Sequence, residues 1–176
     1  YGVPTRLLDF TTSPYVALYF ALESYDARQK PDLALYAFDY TGIMQRSIAD
    51  IANKDSKFQE TCESVYQKSD EVFDATVDRF SYDIAWISEP TEMNARIDRQ
   101  AGSFLVSGNR EKKITEIMDS PAYRDAILLR LVIHSRLYSS IFALLRKMNI
   151  TSKSLYGDLN GLARAIKMEL QIYSTQ

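Results

Sequence analysis

The sequence predicts an α+β fold, in which a small mixed or antiparallel sheet is flanked by helices. Strand-like and helix-like segments are interspersed along the chain without the regular alternation that builds a doubly wound sheet. In addition, residues 41–80 are polar and charged and show no strand pattern. This stretch predicts a helical insertion or a peripheral helical layer.

Four apolar segments predict the strands, and they comprise residues 33–38, 82–87, 103–107 and 126–133. The first is apolar at successive positions, which predicts a strand buried on both faces. Gly102 and Gly108 bound the third segment, and the fourth is rich in aliphatic and β-branched residues. The sheet is therefore expected to draw on segments from most of the chain.

Capping residues and apolar spacing predict the helices. Ser13 followed by Pro14 is a typical helix start, and the helix is expected to run over residues 14–28 and to be mostly buried. Within the polar stretch, residues 57–80 predict one or two solvated helices.

Two further helices are predicted in the C-terminal part. One begins at Ser135 and ends near Met148, with four residues facing inward: Leu137, Ile141, Leu144 and Leu145. The last helix begins near residue 158 and ends near residue 173, with Asp158 and Asn160 as expected caps.

Composition indicates one ordinary globular domain spanning residues 1–176. A net charge of −2 gives no overall attraction to nucleic acid but leaves room for a local basic patch. A single cysteine excludes an internal disulfide framework and fits a reducing cytoplasm. With no apolar run of membrane-spanning length and no signal peptide, we expect a cytoplasmic protein without a membrane partner.

The residue types also narrow the chemistry. His134 is the single histidine and Cys62 the single cysteine, so neither a metal site nor thiol–histidine catalysis is expected, and His134 is assigned a structural or surface role. No glycine-rich phosphate loop is present. Carboxylate, amide, guanidinium and phenol groups remain as candidates.

The N-terminal segment is the densest candidate site. Arg6 and Asp9 lie three residues apart in a turn-rich run around Leu7 and Leu8, which we expect to be buried. The two charged residues either pair with each other and fix the segment, or Arg6 faces a phosphate or carboxylate ligand while Asp9 orients it. Both interpretations can hold together.

A second candidate lies before Gly102. If the chain is a strand there, Arg96 and Gln100 share a face with Asp98; if it is a helix, they share one with Arg99. A solvated pair of arginines is the alternative to a site.

Tyrosines near the N-terminus form a third group of candidates. The rings of Tyr1, Tyr15 and Tyr19 can stack on a base or a nicotinamide, or they can close the edge of the core.

Three ordered segments resemble the FRG domain family. Residues 1–21, YGVPTRLLDFTTSPYVALYFA, resemble its HYGxPTRLLDWTxxPxxALYFA segment. Residues 94–104, NARIDRQAGSF, resemble NxRIxxQxGxF, and residues 155–163, LYGDLNGLA, resemble LFPDLDGLA. The Phe-Arg-Gly motif of the family is expected upstream and is absent from this chain, and Gly157 stands where the family usually has proline.

The resemblance implies a bacterial or phage protein and a layout similar to that of NAD-dependent ADP-ribosyltransferases. NAD would be the substrate, without a metal, and the acceptor an unidentified protein or nucleic acid. The implied catalytic residues are Gln100 and Arg96, with Glu89 or Glu92 as a substitute carboxylate. The implied cofactor-binding residues are Tyr1, Thr5, Arg6, Asp9 and Tyr19.

Arg6, Asp9, Arg96 and Gln100 are expected to converge on one pocket. In the transferase hypothesis Arg6 contacts the diphosphate, and Gln100 contacts a ribose hydroxyl or the acceptor. The alternative is a non-catalytic module that binds a nucleotide, nucleic acid or protein through the same pocket. A purely structural domain is the third hypothesis.

Overall fold

A computed structural model describes residues 5–24, 29, 31–89 and 95–173. The chain divides into two compact units, each discontinuous in sequence. Unit 1 comprises residues 1–10, 37–90 and 103–128, and unit 2 comprises residues 11–36, 91–102 and 129–176. The expectation of one FRG-like domain over the whole chain stays a prediction.

The elements confirm the α+β class, with two small antiparallel sheets flanked by helices. The strands are β1 (Leu7–Thr11), β2 (Leu33–Phe38), β3 (Ala85–Ser88), β4 (Gly102–Ser107) and β5 (Ile127–Ile133). The α-helices are α1 (Pro14–Glu23), α2 (Tyr40–Lys54), α3 (Cys62–Gln67), α4 (Ser69–Val72), α5 (Ala95–Arg99), α6 (Ile114–Met118), α7 (Tyr138–Lys147), α8 (Ser152–Tyr156) and α9 (Leu159–Tyr173). A π-helical turn, Phe73–Asp78, continues α4, and 3-10 turns at Arg124–Ala126 and Ser135–Leu137 precede β5 and α7.

The sheet of unit 1 has the order β1-β4-β3. Strands β3 and β4 are antiparallel, with Ala85 opposite Ser107 and Ser88 opposite Phe104. Strand β1 was not predicted, because its turn-forming and charged residues disguise a short edge strand. The expected burial of Leu7 and Leu8 is wrong, since these side chains are 43% and 39% exposed on that edge.

The segment 41–80 is helical, as predicted, but it packs into the core of unit 1. Its buried aliphatic residues belong to the same core cluster as the fully buried Trp86, and they are Ile43, Ile48, Ile51, Val65, Val72 and Val77. A buried polar link strengthens this contact: the Ser47 and Tyr123 hydroxyls lie 2.7 Å apart, and the Ala85 amide donates to the Tyr123 hydroxyl at 3.2 Å. A peripheral layer does not supply such residues, so that interpretation is wrong for the described packing.

Unit 2 is built mainly from helices. Its core residues come from α1, α7, α8 and α9, and they are Val16, Tyr19, Leu22, Tyr138, Phe142, Leu145, Leu155, Tyr156 and Met168. Ser13 caps α1 as predicted, accepting from the Val16 amide at 3.4 Å. Asp158 likewise accepts from the Gly161 amide at 2.8 Å at the start of α9.

The second sheet pairs β2 with β5. Both strands were expected from their apolar residues, but the burial predicted for β2 is wrong because a two-stranded sheet leaves much of each strand uncovered. Tyr36 of β2 is 52% exposed. Four residues of β5 are also exposed, namely Leu128, Leu129, Leu131 and Val132.

The helix predicted from Ser135 begins as a 3-10 turn, and α7 proper starts at Tyr138. The buried face of α7 consists of Tyr138, Phe142 and Leu145. Leu137 and Leu144, expected to be inward, are 43% and 58% exposed, whereas Phe142 and Leu145 are buried.

Candidate functional site

The predicted site residues are distributed over both units. Thr5 and Asp9 lie exposed in unit 1, beside and on β1. Arg96 and Gln100 belong to unit 2. Tyr1 lies outside the described residues, as does Glu92, one of the two candidate substitute carboxylates. The shared pocket for Arg6, Asp9, Arg96 and Gln100 therefore stays a prediction.

Arg6 is held by an ion pair within unit 1. Its Nη2 lies 2.6 Å from Asp78 Oδ1, and its Nη1 donates to the Ser107 carbonyl at 3.2 Å. Arg110 approaches the other carboxylate oxygen of Asp78 through Nη2 at 2.5 Å. The predicted pair with Asp9 is wrong. Asp78 lies in the segment 41–80, and nothing in the local sequence links it to Arg6.

Because Asp78 pairs with two arginines, the stability of unit 1 is expected to depend on acidic pH. Hydrogen bonds from the two arginines lower the pKa of the Asp78 carboxyl from 3.8 to about 2, and the bond from Arg110 has the larger effect. A carboxylate whose pKa is lower in the folded state stabilises the fold above its unfolded pKa, and this contribution disappears as the pH falls through the folded pKa. We expect Asp78→Asn to reduce the loss of unit 1 stability between about pH 4 and pH 2.

The measurement is urea unfolding at several pH values, followed by fluorescence of Trp86, the single tryptophan of the chain and a core residue of unit 1. Asp74→Asn is the matched control, because Asp74 is exposed in the same π-helical turn. An identical pH dependence for the two variants would contradict the prediction.

Gln100 is a buried residue at the end of α5, with 9% of its surface exposed. Its side-chain amide donates to the Leu155 carbonyl at 3.4 Å, and its own carbonyl accepts from the Thr11 hydroxyl at 2.7 Å. These contacts give Gln100 a structural function between α5 and α8. Its catalytic role stays a prediction.

Tyr19 is part of the core of unit 2, as the packing interpretation predicts. It is 1% exposed, and its hydroxyl contacts the Ser152 hydroxyl and, at 3.2 Å, the Met168 sulfur. Burial raises the pKa of Tyr19 to about 12. Its role in stacking on a ligand stays a prediction.

Five residues of unit 2 form what we term the Tyr156 cluster: Glu23, Arg96, Arg99, Tyr156 and Arg164. The guanidinium carbons of Arg96 and Arg164 lie 4.8 Å and 4.7 Å from the centre of the Tyr156 ring. Because residues 95–99 are helical, Arg96 and Arg99 lie on neighbouring turns of one face. The helical alternative for this segment is therefore correct.

Arg99 lies against Gly157. The backbone of Gly157 is left-handed, with φ +70°, and a Cβ atom there would lie 1.6 Å from Arg99 Nη1. Proline, which the resemblance favours at this position, is confined to φ near −65° and cannot adopt this conformation. Glycine thus allows both the turn after α8 and the approach of Arg99. Among the described residues, no carboxylate lies within ion-pair distance of Arg99.

Glu23 is the carboxylate of the Tyr156 cluster. The Tyr156 hydroxyl donates to Glu23 Oε2 at 2.6 Å, and Arg164 Nη1 lies 3.2 Å from the same oxygen. The other oxygen, Oε1, is buried, and no described residue donates a hydrogen bond to it. The pKa of the Tyr156 hydroxyl is raised, chiefly by burial and to a smaller extent by its hydrogen bond to Glu23.

Sequence reasoning missed this cluster in part. Arg96 was a candidate, and Tyr156 and Arg164 lie in or beside the third family-like segment. Glu23, however, lies at the end of α1 and carries no motif of its own.

Charge is distributed unevenly between the units. Unit 2 has a formal charge of +4, from 11 Lys and Arg against 7 Asp and Glu. Unit 1 has a formal charge of −6, from 10 against 16. Although the net charge of the whole chain is close to zero, unit 2, which contains the Tyr156 cluster, is basic.

Other features of the described residues lie apart from the predicted site. Unit 1 has a polar cleft of about 300 Å³ that is lined by α4, the π-helical turn that follows it and the residues before α3, including Lys57 and Glu60. Within the described ranges, no group of histidine, cysteine or acidic side chains has the arrangement of a metal site. No helix in this part of the chain is both long and apolar enough to cross a membrane.

Comparison with known proteins supports the resemblance at the N-terminus. The family model of the FRG domain matches residues 1–30. This stretch contains Arg6, Asp9, Tyr19 and Glu23, and the predicted resemblance is confirmed there. The family-like segments at 94–104 and 155–163 lie outside the match. No curated protein and no solved structure matches the chain.

Proposed function

We propose that the chain is an FRG-type binding module whose unit 2 binds a nucleotide, or a similarly phosphorylated ligand, at the Tyr156 cluster. The observation that carries this proposal is the grouping of three arginines: Arg96 and Arg164 lie over the Tyr156 ring, and Arg99 lies against the neighbouring left-handed Gly157. The excess positive charge of unit 2 supports it, because a basic surface attracts anionic ligands.

Guanidinium groups suit this function. Their planar forks bind phosphate oxygens bidentately, with charge-assisted hydrogen bonds. The Tyr156 ring fixes Arg96 and Arg164 by cation–π contact, which reduces the side-chain entropy that binding would otherwise cost. Arg99 contributes a positive charge, and no described carboxylate forms an ion pair with it. The carboxylate of the cluster, Glu23, pairs with Arg164 instead.

NAD-dependent ADP-ribosyl transfer is the catalytic form of this proposal. The order of the family-like segments along the chain is similar to the layout of such transferases, and the diphosphate of NAD suits the arginines of the Tyr156 cluster. In that reaction the bond between nicotinamide and ribose breaks, a nucleophile of a protein or nucleic-acid acceptor bonds to the ribose carbon, and nicotinamide leaves. Preorganised polar groups can stabilise the oxocarbenium-like transition state of such a reaction.

Calorimetry with NAD, ADP-ribose and pyrophosphate tests the proposal on the chain as it stands. We expect Arg99→Ala to weaken binding about tenfold or more, because loss of one charge-assisted contact costs about 1.5–3 kcal/mol. Arg130→Ala is the matched control: Arg130 is also an exposed arginine of unit 2, and it lies over the ring of Tyr36 at 5.9 Å.

The outcomes separate the hypotheses. Binding of NAD with release of nicotinamide supports the transferase, whereas binding without release supports the module. If none of the three ligands binds, or if both arginine variants lose affinity equally, the assignment of the Tyr156 cluster is wrong.

A further inference from the structure

Three side chains of unit 1 form what we term the Tyr66 surface: Tyr40 at the start of α2, Tyr66 on α3 and Glu89 directly after β3. The centres of the two tyrosine rings lie 6.3 Å apart, with 54° between the ring planes. The Tyr40 hydroxyl donates to Glu89 Oε1 at 3.3 Å. Because Tyr66 is 66% exposed and Glu89 is also exposed, another molecule can reach both the ring and the carboxylate.

The chemistry of the Tyr66 surface favours a cation. Aromatic faces attract cations electrostatically, and a carboxylate beside the rings, here Glu89, strengthens the attraction. Glu63 precedes Tyr66 by three residues on α3 and is exposed, so it places a second negative charge on the same side of that helix. The formal charge of −6 on unit 1 acts in the same direction.

A second aromatic pair of unit 1, Phe80 and Tyr82, shows how such rings are occupied elsewhere. Its ring centres lie 5.9 Å apart, with 46° between the ring planes. Arg79 lies 5.4 Å from the centre of the Phe80 ring, and Lys54 lies 5.8 Å from that of Tyr82. At the Tyr66 surface, no lysine or arginine among the described residues lies over a ring or pairs with the carboxylate. The cation that this surface suits therefore has to come from another molecule.

We propose that the Tyr66 surface binds an arginine side chain of a basic partner protein. A guanidinium group stacks on an aromatic face and also presents two parallel N–H donors to a carboxylate, which an ammonium group does not. A small cation would contact this exposed surface on one side only, whereas a basic protein brings further positive charges to an acidic unit. None of these residues belongs to the Tyr156 cluster, so the inference is independent of the proposed function.

Calorimetry at low ionic strength tests the proposal with a blocked peptide of alternating arginine and glycine. The reference peptide contains citrulline, which keeps the shape of the arginine side chain but has no charge. We expect the arginine peptide to bind more tightly than the citrulline peptide. Tyr66→Ala should weaken binding of the arginine peptide about fivefold, and Tyr66→Phe, which keeps the ring, by less than about twofold. Glu89→Gln should also weaken it, by up to about fivefold.

Phe80→Ala and Glu111→Gln are the matched controls. Phe80 is an exposed ring of the same unit that already has a cation over it, and Glu111 is an exposed carboxylate of that unit. Both variants should bind the arginine peptide as the unaltered protein does. Equal binding of the two peptides, or equal losses in Tyr66→Ala and Phe80→Ala, would overturn the proposal. Self-association that Tyr66→Ala abolishes, measured by analytical ultracentrifugation, would also overturn it, because a second copy of the chain would then occupy the surface.

Discussion

Replacement of Ile51 by alanine is expected to lower the free energy of unfolding of unit 1 by about 2–5 kcal/mol. Ile51 lies on α2, is 0% exposed and packs in the cluster around Trp86. Shortening a fully buried aliphatic side chain removes favourable burial and leaves a cavity. The effect follows from the central position of the segment 41–80, which a peripheral layer would not have.

Urea unfolding followed by Trp86 fluorescence measures this effect, because Trp86 reports on unit 1. Gln45→Ala on the same helix is the control, since Gln45 is exposed and alanine is a good helix former. If Ile51→Ala changed stability as little as Gln45→Ala does, the segment would be peripheral after all.

The sequence predicted the elements of the fold better than their burial. Apolar segments located β2, β4 and β5, and capping residues located the starts of α1 and α9, because these signals are local. Burial depends on partners that are distant in sequence. Residues of β5 such as Leu128 look like core residues, yet a two-stranded sheet leaves them exposed, and the polar texture of 41–80 concealed the inward face of α2.

The candidate site was predicted in the same uneven way. Arg96 was identified because it lies in a recognisable segment, and the helical alternative for it proved correct. The partners of Arg6 and Tyr156 were not identified: Asp78 is 72 positions from Arg6, and Glu23 is 133 from Tyr156. Such pairings are created by tertiary structure, so no local spacing could have indicated them.

Tyr19 gives the second large effect, and it separates a core residue from a ligand-stacking one. Tyr19→Ala is expected to destabilise unit 2 by about 3–5 kcal/mol, because it removes a fully buried aromatic ring from the helical core. Tyr19→Phe keeps the ring and removes only the hydroxyl that contacts Ser152 and Met168, so a loss of about 1 kcal/mol is expected.

Thermal unfolding followed by far-ultraviolet circular dichroism measures both Tyr19 variants, and Trp86 fluorescence, which reports on unit 1, identifies the part of the signal that comes from that unit. Binding of NAD is measured in parallel at a temperature where each variant is folded. A core role predicts that the melting temperature falls steeply for alanine and slightly for phenylalanine, with ligand affinity unchanged in the phenylalanine variant. An alanine variant that melts normally but no longer binds NAD would instead make Tyr19 a ligand-contacting residue, because a ring that stacks on a ligand can be removed without opening a cavity in the core.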